Sequence, residues 1–457
     1  MYKEVHFIGI GGIGMSGIAQ LYLEAGIKVT GSDIRDSERL ELLRLKGAQV
    51  YIGHKPSHIK NQDLVVYSSA IKEDNPELIE AKKKNIRIIK RAEALAEIIK
   101  DANLITVTGS HGKTTTSSLV SHILMEAGFS PTVVVGGIWL NLNNSAFKGK
   151  ENFFVVEADE SDGSFLYFKP NYSIITNIDF EHLDFYKNMA NLLDTFVNFI
   201  NNIRKDGYLI TCAEDKNILS ILNRIDKRVI LYGLSPHLDI YAKNIEFHGL
   251  SSSFDCIYRG NFLERFSLSL GGMHNILNSL SAIALAKELK IETQIIKDAL
   301  FSFKGTRRRI EIKSLIDGVL FVDDYAHHPT EIKATLKTVS DLGYKRTIVI
   351  FQPHRYSRTK LLLDEFAKCF DLVDELVITD IYPADENPIE GINAELLCDR
   401  INFYKKCLFA KFLPKEKIVP YILDILKKDD LVITLGAGDI YKVGDELVQC
   451  YKRKSKN

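Results

Sequence analysis

Short β-branched runs alternate with amphipathic stretches along almost the whole chain. That alternation predicts a parallel α/β architecture. Three blocks separate. The first opens on the strand VHFIGI, turns through glycines, and enters a helix from Met15 to Ala25 that Gly26 can cap. Strands KVTGSD and DLVVYSS follow, and the lysine-rich AKKKNIRIIKRAEALAEIIKD reads as a linker helix leading out to Asp101. The second block starts on ITVTGSHGKTTT, whose helix carries Leu119, Ile123 and Ala127 on one face with Gly128 as its stop. Strands NFFVVEAD and YSIITNID then each end in polar residues. From Gly207 to Leu270 the pattern is mostly extended, with turns at Gly233, Gly249 and Gly260, and a helix beginning near Met273 closes the block. The third block starts around Gly305 and carries VLFVDDY, RTIVIFQ, ELVITDIY and DLVITLGAG between helices, again a nucleotide-fold pattern. The predicted domains are 1–101, 102–304 and 305–457.

Composition narrows the class. At 457 residues the chain exceeds what one core can organise. Hydrophobic content of 46% and charged content of 26% are those of a globular protein. The 59 basic and 59 acidic residues cancel, so no global field favours nucleic acid or an acidic membrane. The basic end YKRKSKN reads as a frayed, solvated tail. Six scattered cysteines form no CxxC pair, which argues against zinc or redox motifs and fits a reducing cytoplasm. The N-terminus lacks the features of a signal peptide, and no apolar run reaches the ~18 residues of a membrane span.

Candidate chemistry collects where predicted strands end. Gly109, Ser110, His111, Gly112, Lys113, Thr114 and Thr115 form a strand–turn–helix that turns backbone N–H groups toward a phosphate. Lys113 would meet the β/γ-phosphates of a nucleoside triphosphate and the Thr114 hydroxyl a Mg²⁺ ion. The plain alternative is a tight turn with a solvated lysine. Gly9 to Gly14 fit GxGxxG, with Asp33 about twenty residues on, suited to a ribose. The literal reading is NAD and a dehydrogenase, although any nucleotide diphosphate fits the same geometry. Glu157, Asp159, Glu160 and Asp162 cluster at one strand end, where a carboxylate can hold a phosphate-bridging Mg²⁺. His182, among Asp179, Glu181 and Asp184, is a metal ligand or an ordinary surface histidine. Asn275 and Asn278 share a helix face. Arg307, Arg308 and Arg309 stand at the junction of blocks two and three, where one could clamp a transferring phosphate. DDYAHHP and FQPHRYSRT place His327, His354, Arg355 and Arg358 at two more strand ends, with the arginines able to hold a carboxylate.

Taken in order, GIGGIGMSG, GSHGKTTT, EADESD, the MHNILN helix, GTRRR, DDYAHHP and FQPHRYSRT make the chain resemble the muramyl ligases over essentially its whole length. GKT and the paired asparagines mark the wider superfamily, while the last two motifs are specific to the branch that joins L-alanine to UDP-N-acetylmuramate with ATP. The resemblance implies an N-terminal Rossmann-like UDP-binding domain, a central P-loop ATPase-type α/β domain and a C-terminal Rossmann-like domain. It implies that Gly11, Gly12 and Gly14 lie near the UDP diphosphate, with Met15, Ser16, Asp33, Ser68 and Ser69 completing that set. Lys113 and Thr114 become triphosphate and magnesium residues within an ATP set running from Gly109 to Thr115. Glu157, rather than Glu160, falls at the magnesium glutamate, and His182 at the second-metal histidine. Asn275 and Asn278 face the nucleotide, Arg309 is the catalytic arginine, and Asp324 holds the ATP ribose. Tyr325, His327, His354, Arg355 and Arg358 place the incoming alanine. Sister ligases carry a carbamylated lysine for which this chain has no convincing position, and the first arginine of GTRRR replaces a more usual small residue. A related ligase that attaches a recycled peptide shares nearly every motif. The expected partners are small molecules alone, acting on a monomer or weak homodimer.

Overall fold

The computed structural model describes residues 2–455 apart from Ser69, His182 and Asp385. Among them, three sheets organise the chain. The first is wholly parallel, with strands in the spatial order Gln49–Ile52, Lys28–Asp33, Glu4–Ile8, Leu64–Tyr67 and Arg87–Lys90. The order reverses between Glu4–Ile8 and Leu64–Tyr67, the switch point where open α/β sheets bind ligands. The Gly9–Gly14 turn leaves its strand at that point and feeds the helix Ile13–Glu24.

The second sheet is ten-stranded. Its central strand Asn103–Thr108 runs parallel to Tyr172–Ile175 on one side and Phe153–Glu157 on the other. The segments that follow these neighbours all emerge at one edge: GSHGKTTT, EADESD and NIDFE. The strands are short, apolar and β-branched because they are covered on both faces, and Ile105, Val107, Val155, Val156 and Ile174 are fully buried. The third sheet has the order Glu311–Ile316, Val319–Asp324, Asp430–Leu435, Arg346–Phe351, Glu375–Ile378, Ala410–Phe412, antiparallel only at its first pair.

The chain divides into two compact units. One holds residues up to Lys243, Asp255–Arg265 and Leu277–Phe303; the other holds Asn244–Phe254, Phe266–Ile276 and everything from Lys304. Within the first unit one apolar cluster runs from Val5, Phe7 and Ile18 of the first sheet layer to Val156, Phe165 and Phe199 around the second. Among the described residues no helix is long and apolar enough to cross a membrane.

The expected linker helix is not one helix. Pro76–Lys83 is helical, Asn85 adopts φ 54°, and Arg87–Lys90 then pairs with Leu64–Tyr67 before a new helix, Arg91–Ile98, begins. The left-handed residue stops the first helix, and the run Ile86, Ile88, Ile89 suits a strand that buries Ile89. The stretch 207–270 is mostly extended as expected, but the helix Lys216–Ile221 interrupts it, and Gly233 ends a strand rather than forming a turn.

Gly31, in the second strand, has no room for a side chain. A Cβ there would lie 2.5 Å from Ile10 Cδ1 and 2.8 Å from the Phe7 carbonyl. Gly31→Ala is therefore expected to cost about 1–3 kcal/mol through overpacking, read as a lower denaturant midpoint for the unit that contains it. An unchanged midpoint would show that the glycine turn yields freely.

Candidate functional site

The phosphate-loop candidate is held from the neighbouring strand end. Gly109 has φ +123°, and a Cβ on it would lie 2.4 Å from Thr176 Oγ1 and 2.7 Å from the Asn177 carbonyl. The Asn177 side chain accepts from the His111 amide at 2.9 Å and donates to the His111 carbonyl at 3.1 Å. The Ser110 amide donates to the Asn177 carbonyl. With those two amides engaged, the first turn of Lys113–Glu126, where a helix leaves its amides unpaired, offers donors for an anion. Gly112 precedes that turn at φ +81°, and a Cβ on it would meet Asn278 Oδ1 at 2.8 Å. Thr115 is buried in the helix.

Lys113 Nζ donates to the carbonyls of Gly109 at 2.6 Å and Ser110 at 3.2 Å, and to Glu160 Oε1 at 2.7 Å. Burial works to lower its pKa, but Glu160 and Asp159 outweigh burial and hold it above the usual lysine range. Glu157, one strand-end earlier, does something different. It accepts from Thr114 Oγ1 at 3.1 Å and from the Gly136 amide at 2.7 Å, and burial raises its pKa. A hydroxyl and a carboxylate oxygen side by side at the mouth of a phosphate loop are the hard-oxygen pair a magnesium ion takes. The site residues thus fit that ion, with Glu160 engaged by the lysine and Glu157 by the threonine. His111 Nε2 lies 3.0 Å from Asp179 Oδ2. His182 falls outside the described residues.

Around the first glycine turn, Asp33 Oδ2 accepts from the Gly11 amide at 2.8 Å. A Cβ on Gly11 would meet that carboxylate at 2.9 Å, and one on Gly14 would meet the Arg91 guanidinium at 2.2 Å. Gly12 starts the helix, and the Ser16 amide bonds its carbonyl. Met15 is buried in the apolar core, so its side chain serves packing. Ser68 follows the strand Leu64–Tyr67, its Cβ 3.2 Å from where a Gly9 Cβ would stand. Ser69 lies outside the described residues. Arg91 went unnoticed in the sequence; recognising RIIK as a strand would have placed it at a strand end.

The third group lies in the second unit. Asp324 is buried and accepts from the amides of Ile310 at 2.7 Å and Ala326 at 2.8 Å and from Thr335 Oγ1 at 3.2 Å. Burial nevertheless pushes its carboxyl up to about 6. The three arginines separate in role. Arg308, at φ 61°, is fully engaged by Asp323 at 2.9 Å, the carbonyls of Gly436 and Gly438, and the rings of Tyr325 and Tyr441. Arg309 instead reaches Glu331 at 3.2 Å and lies 5.2 Å from the Tyr325 ring centre. Glu331 also accepts from the His327 amide at 3.1 Å. The His327 ring sits 5.4 Å from that of His354, whose Nδ1 is 3.1 Å from Arg358 Nη1. Arg355 caps the helix Tyr356–Leu361 at φ 71° and lies 3.8 Å from Glu386. Tyr325, His327, His354 and Arg358 therefore form one continuous patch with Arg309 at its side. Asn275 donates to the Gly271 carbonyl at 2.8 Å. Glu331 and His274 were missed in the sequence: Glu331 was hidden as an ordinary first-turn acid of Pro329–Ser340, and His274 inside the asparagine motif.

His274 is the titrating group to watch. Burial first, and Arg309 second, lower its pKa from 6.5 to about 4. The unfolded chain therefore takes up this proton at higher pH than the folded one. The stability it contributes is full above pH 6.5 and falls away as pH drops toward 4. Because the ring is partly exposed, the effect between pH 7 and 5 is roughly 1–2 kcal/mol. His274→Gln is expected to lose that much less stability over the interval than the natural chain, measured by denaturant unfolding at the two pH values. Parallel losses in both proteins would contradict the assignment.

Three family models match in succession: "Mur ligase family, catalytic domain" over residues 4–103, "Mur ligase middle domain" over 107–286, and "Mur ligase, glutamate ligase domain" over 308–438. The chain is 45% identical over 447 residues to the UDP-N-acetylmuramate–L-alanine ligase of Geotalea daltonii, covering 98% of each. Its fold is similar to the UDP-N-acetylmuramate–alanine ligase of Thermotoga maritima, with TM-score 0.81 and 30% identity, covering 99% of this chain and 100% of that one. It is also similar in fold to a murein peptide ligase of Psychrobacter arcticus, with TM-score 0.70 and 24% identity over 98% of each.

Proposed function

The chain belongs to the Mur ligase family, and we propose that it joins L-alanine to the lactyl carboxylate of UDP-N-acetylmuramate, converting ATP to ADP and phosphate. The observation that carries this reading is end-to-end identity of 45% with a curated ligase of that activity. The patch of Tyr325, His327, His354 and Arg358 supports it, because a paired guanidinium and imidazole beside aromatic rings suit a small amino acid. The product is a precursor of peptidoglycan, and the nucleotide substrates place the work in the cytoplasm.

We assign residues 1–101 to the UDP-sugar, 102–304 to ATP and 305–457 to the amino acid. On this assignment the Gly9–Gly14 turn cradles a UDP diphosphate rather than a nicotinamide cofactor. Thr114 and Glu157 are the residues that would hold magnesium, with His182 as a further ligand suggested by family resemblance. The ion supplies charge neutralisation on the phosphates when bound. Lys113 holds the β/γ-phosphates, giving up its contact with Glu160 to do so. Arg309 offsets the charge that builds up as phosphate passes between two anions. Asp324 holds the ATP ribose, and Asn278, against the phosphate loop, together with Asn275 faces the nucleotide. Transfer of the γ-phosphate to the lactyl carboxylate gives an acyl phosphate and ADP. The alanine amine, delivered as the free base, attacks the acyl carbon, the bond from that carbon to the phosphate oxygen breaks, and the amine's proton leaves with the phosphate as the amide forms. His327, His354, Arg355 and Arg358 orient the amino acid. A monomer or weak homodimer suffices for this chemistry.

Phosphate and ADP release is expected only when ATP, UDP-N-acetylmuramate and L-alanine are all present, followed with a panel of amino acids and a murein tripeptide as acceptors. ATP turnover indifferent to either partner would sink the assignment, and preference for the tripeptide would transfer it to the peptide-recycling branch. Arg358→Lys keeps the charge but loses the planar fork that matches a carboxylate. It is expected to raise the KM for alanine about tenfold while the KM for ATP stays within about twofold, as one charge-assisted hydrogen bond predicts.

A further inference from the structure

A buried carboxylate lies beneath the first glycine turn, and neither the phosphate loop nor the alanine patch uses it. Glu77, on the helix Pro76–Lys83, has no solvent exposure. Its Oε2 accepts from Ser32 Oγ at 2.5 Å and lies 3.4 Å from His54 Nδ1 and 3.5 Å from His6 Nε2. Its Oε1 lies 2.5 Å from His58 Nδ1 and accepts from the Lys55 amide at 3.2 Å. The two oxygens thus collect groups from the strands Glu4–Ile8 and Lys28–Asp33 and from the segment 54–58. Burial acts to raise this carboxyl, but the bonds from His6, Ser32 and His58 outweigh it and hold Glu77 down at about 2. It is a fixed anion, encircled by donors.

Ser32 carries this anchor to the turn. Its carbonyl accepts from both the Gly9 amide at 2.8 Å and the Ile10 amide at 3.0 Å. The next residue, Asp33, accepts from the Gly11 amide, and the Asp33 carbonyl accepts from Gly53, whose neighbour His54 is 2.9 Å from Ser32 Oγ. Three consecutive amides of the turn are therefore set by two residues, and one of those two is fixed by Glu77. A glycine-rich turn carries no packing of its own to hold its shape. A buried, multiply bonded anchor one residue away supplies that shape before a ligand arrives.

We propose that Glu77 is a positioning residue for the UDP-sugar: through Ser32 it fixes the Gly9–Gly11 turn, and with it the start of the helix Ile13–Glu24, whose unpaired first-turn amides face the diphosphate. The inference rests on the assignment of that turn to the UDP-sugar. His6 belongs to the same anchor, lying 3.5 Å from Glu77 and 2.8 Å from Thr30 Oγ1.

The test uses the full-length enzyme and steady-state KM for each substrate. Glu77→Gln is expected to raise the KM for UDP-N-acetylmuramate about tenfold while the KM for ATP and alanine stays within twofold. Ser32→Ala, which removes only the link, is expected to reproduce that change, and the double variant to be no worse than either single one. If Ser32→Ala leaves the KM for the UDP-sugar unchanged, or if Glu77→Gln moves all three KM values together, the positioning role is wrong. Calorimetry of the unmodified protein with UDP-N-acetylmuramate alone separates the two levels. Absence of binding there overturns the site assignment and this inference with it. Binding that Ser32→Ala leaves unaltered overturns the inference only. Should Glu77→Gln fail to fold, Ser32→Ala decides alone.

Discussion

The peptide of His111 is gripped on both sides by one side chain, and the phosphate loop depends on that grip. Asn177 accepts from its amide and donates to the carbonyl of the same residue, while Thr176 Oγ1 donates to that carbonyl at 2.6 Å. The grip demands a close approach between adjacent strand ends, and only glycine at 109 permits it. Once the loop is fixed there, Lys113 starts its helix with the side chain folded back over the loop carbonyls toward Glu160. Thr114 follows with its hydroxyl toward Glu157. Two neighbouring helix positions thus sort two neighbouring acids: one neutralises a cation, the other stays available beside a hydroxyl.

That sorting has an energetic logic. A buried ion pair contributes little net stability, because desolvation offsets most of its attraction, but removing one partner leaves an uncompensated charge. Lys113 with Glu160 and Arg308 with Asp323 both follow this pattern. On the proposed function the first anion is replaceable, since the triphosphate would take the lysine. The second is not, since Arg308 is also committed to two carbonyls and two rings. The difference explains how adjacent arginines serve unlike ends. Arg308 ties Asp323 to the Gly436–Gly438 turn, which leaves Arg309 directed at Glu331. The sequence RRR could not reveal this, because φ 61° at Arg308 sets the direction of the chain there and no residue type announces it.

Legibility in the sequence followed burial. Strands covered on both faces read as apolar β-branched runs, and the residues after them stood out as polar, so the central loop, EADESD and DDYAHHP were visible at once. Only residues 84–90 depart from the expected helix, because lysines flank a short edge strand and mimic a solvated helix; Asn85, not a glycine or proline, makes the break. Arg91 disappeared in the same misreading. Choosing Glu157 over Glu160 for the metal required family resemblance, since strand alternation ends at Glu157 and says nothing of a loop residue three positions on. Glu331 was invisible for the opposite reason: an acid in the first turn of a helix is ordinary, and only the fold brings it to Arg309 and His327.

The two glycine turns solve one problem with different residues. Each must carry the chain from a strand end into a helix start while carrying too little side chain to hold itself. In each, the strand alongside supplies the missing restraint from its own last two residues or the two just beyond: Ser32 and Asp33 for Gly9–Gly11, Thr176 and Asn177 for Gly109–His111. Parallel pairing makes this possible, because it places equivalent ends of neighbouring strands at the same edge. The restraint is a polar contact rather than an apolar one, since apolar packing could not satisfy or orient amides. Polar residues at the ends of apolar strands thus have two destinations in this chain. Some, such as Glu157, meet a hydroxyl at a helix start and the amide of a neighbouring strand, and others face the next loop and hold it. Hydrophobic patterning marks both kinds alike, and only their hydrogen bonds separate them.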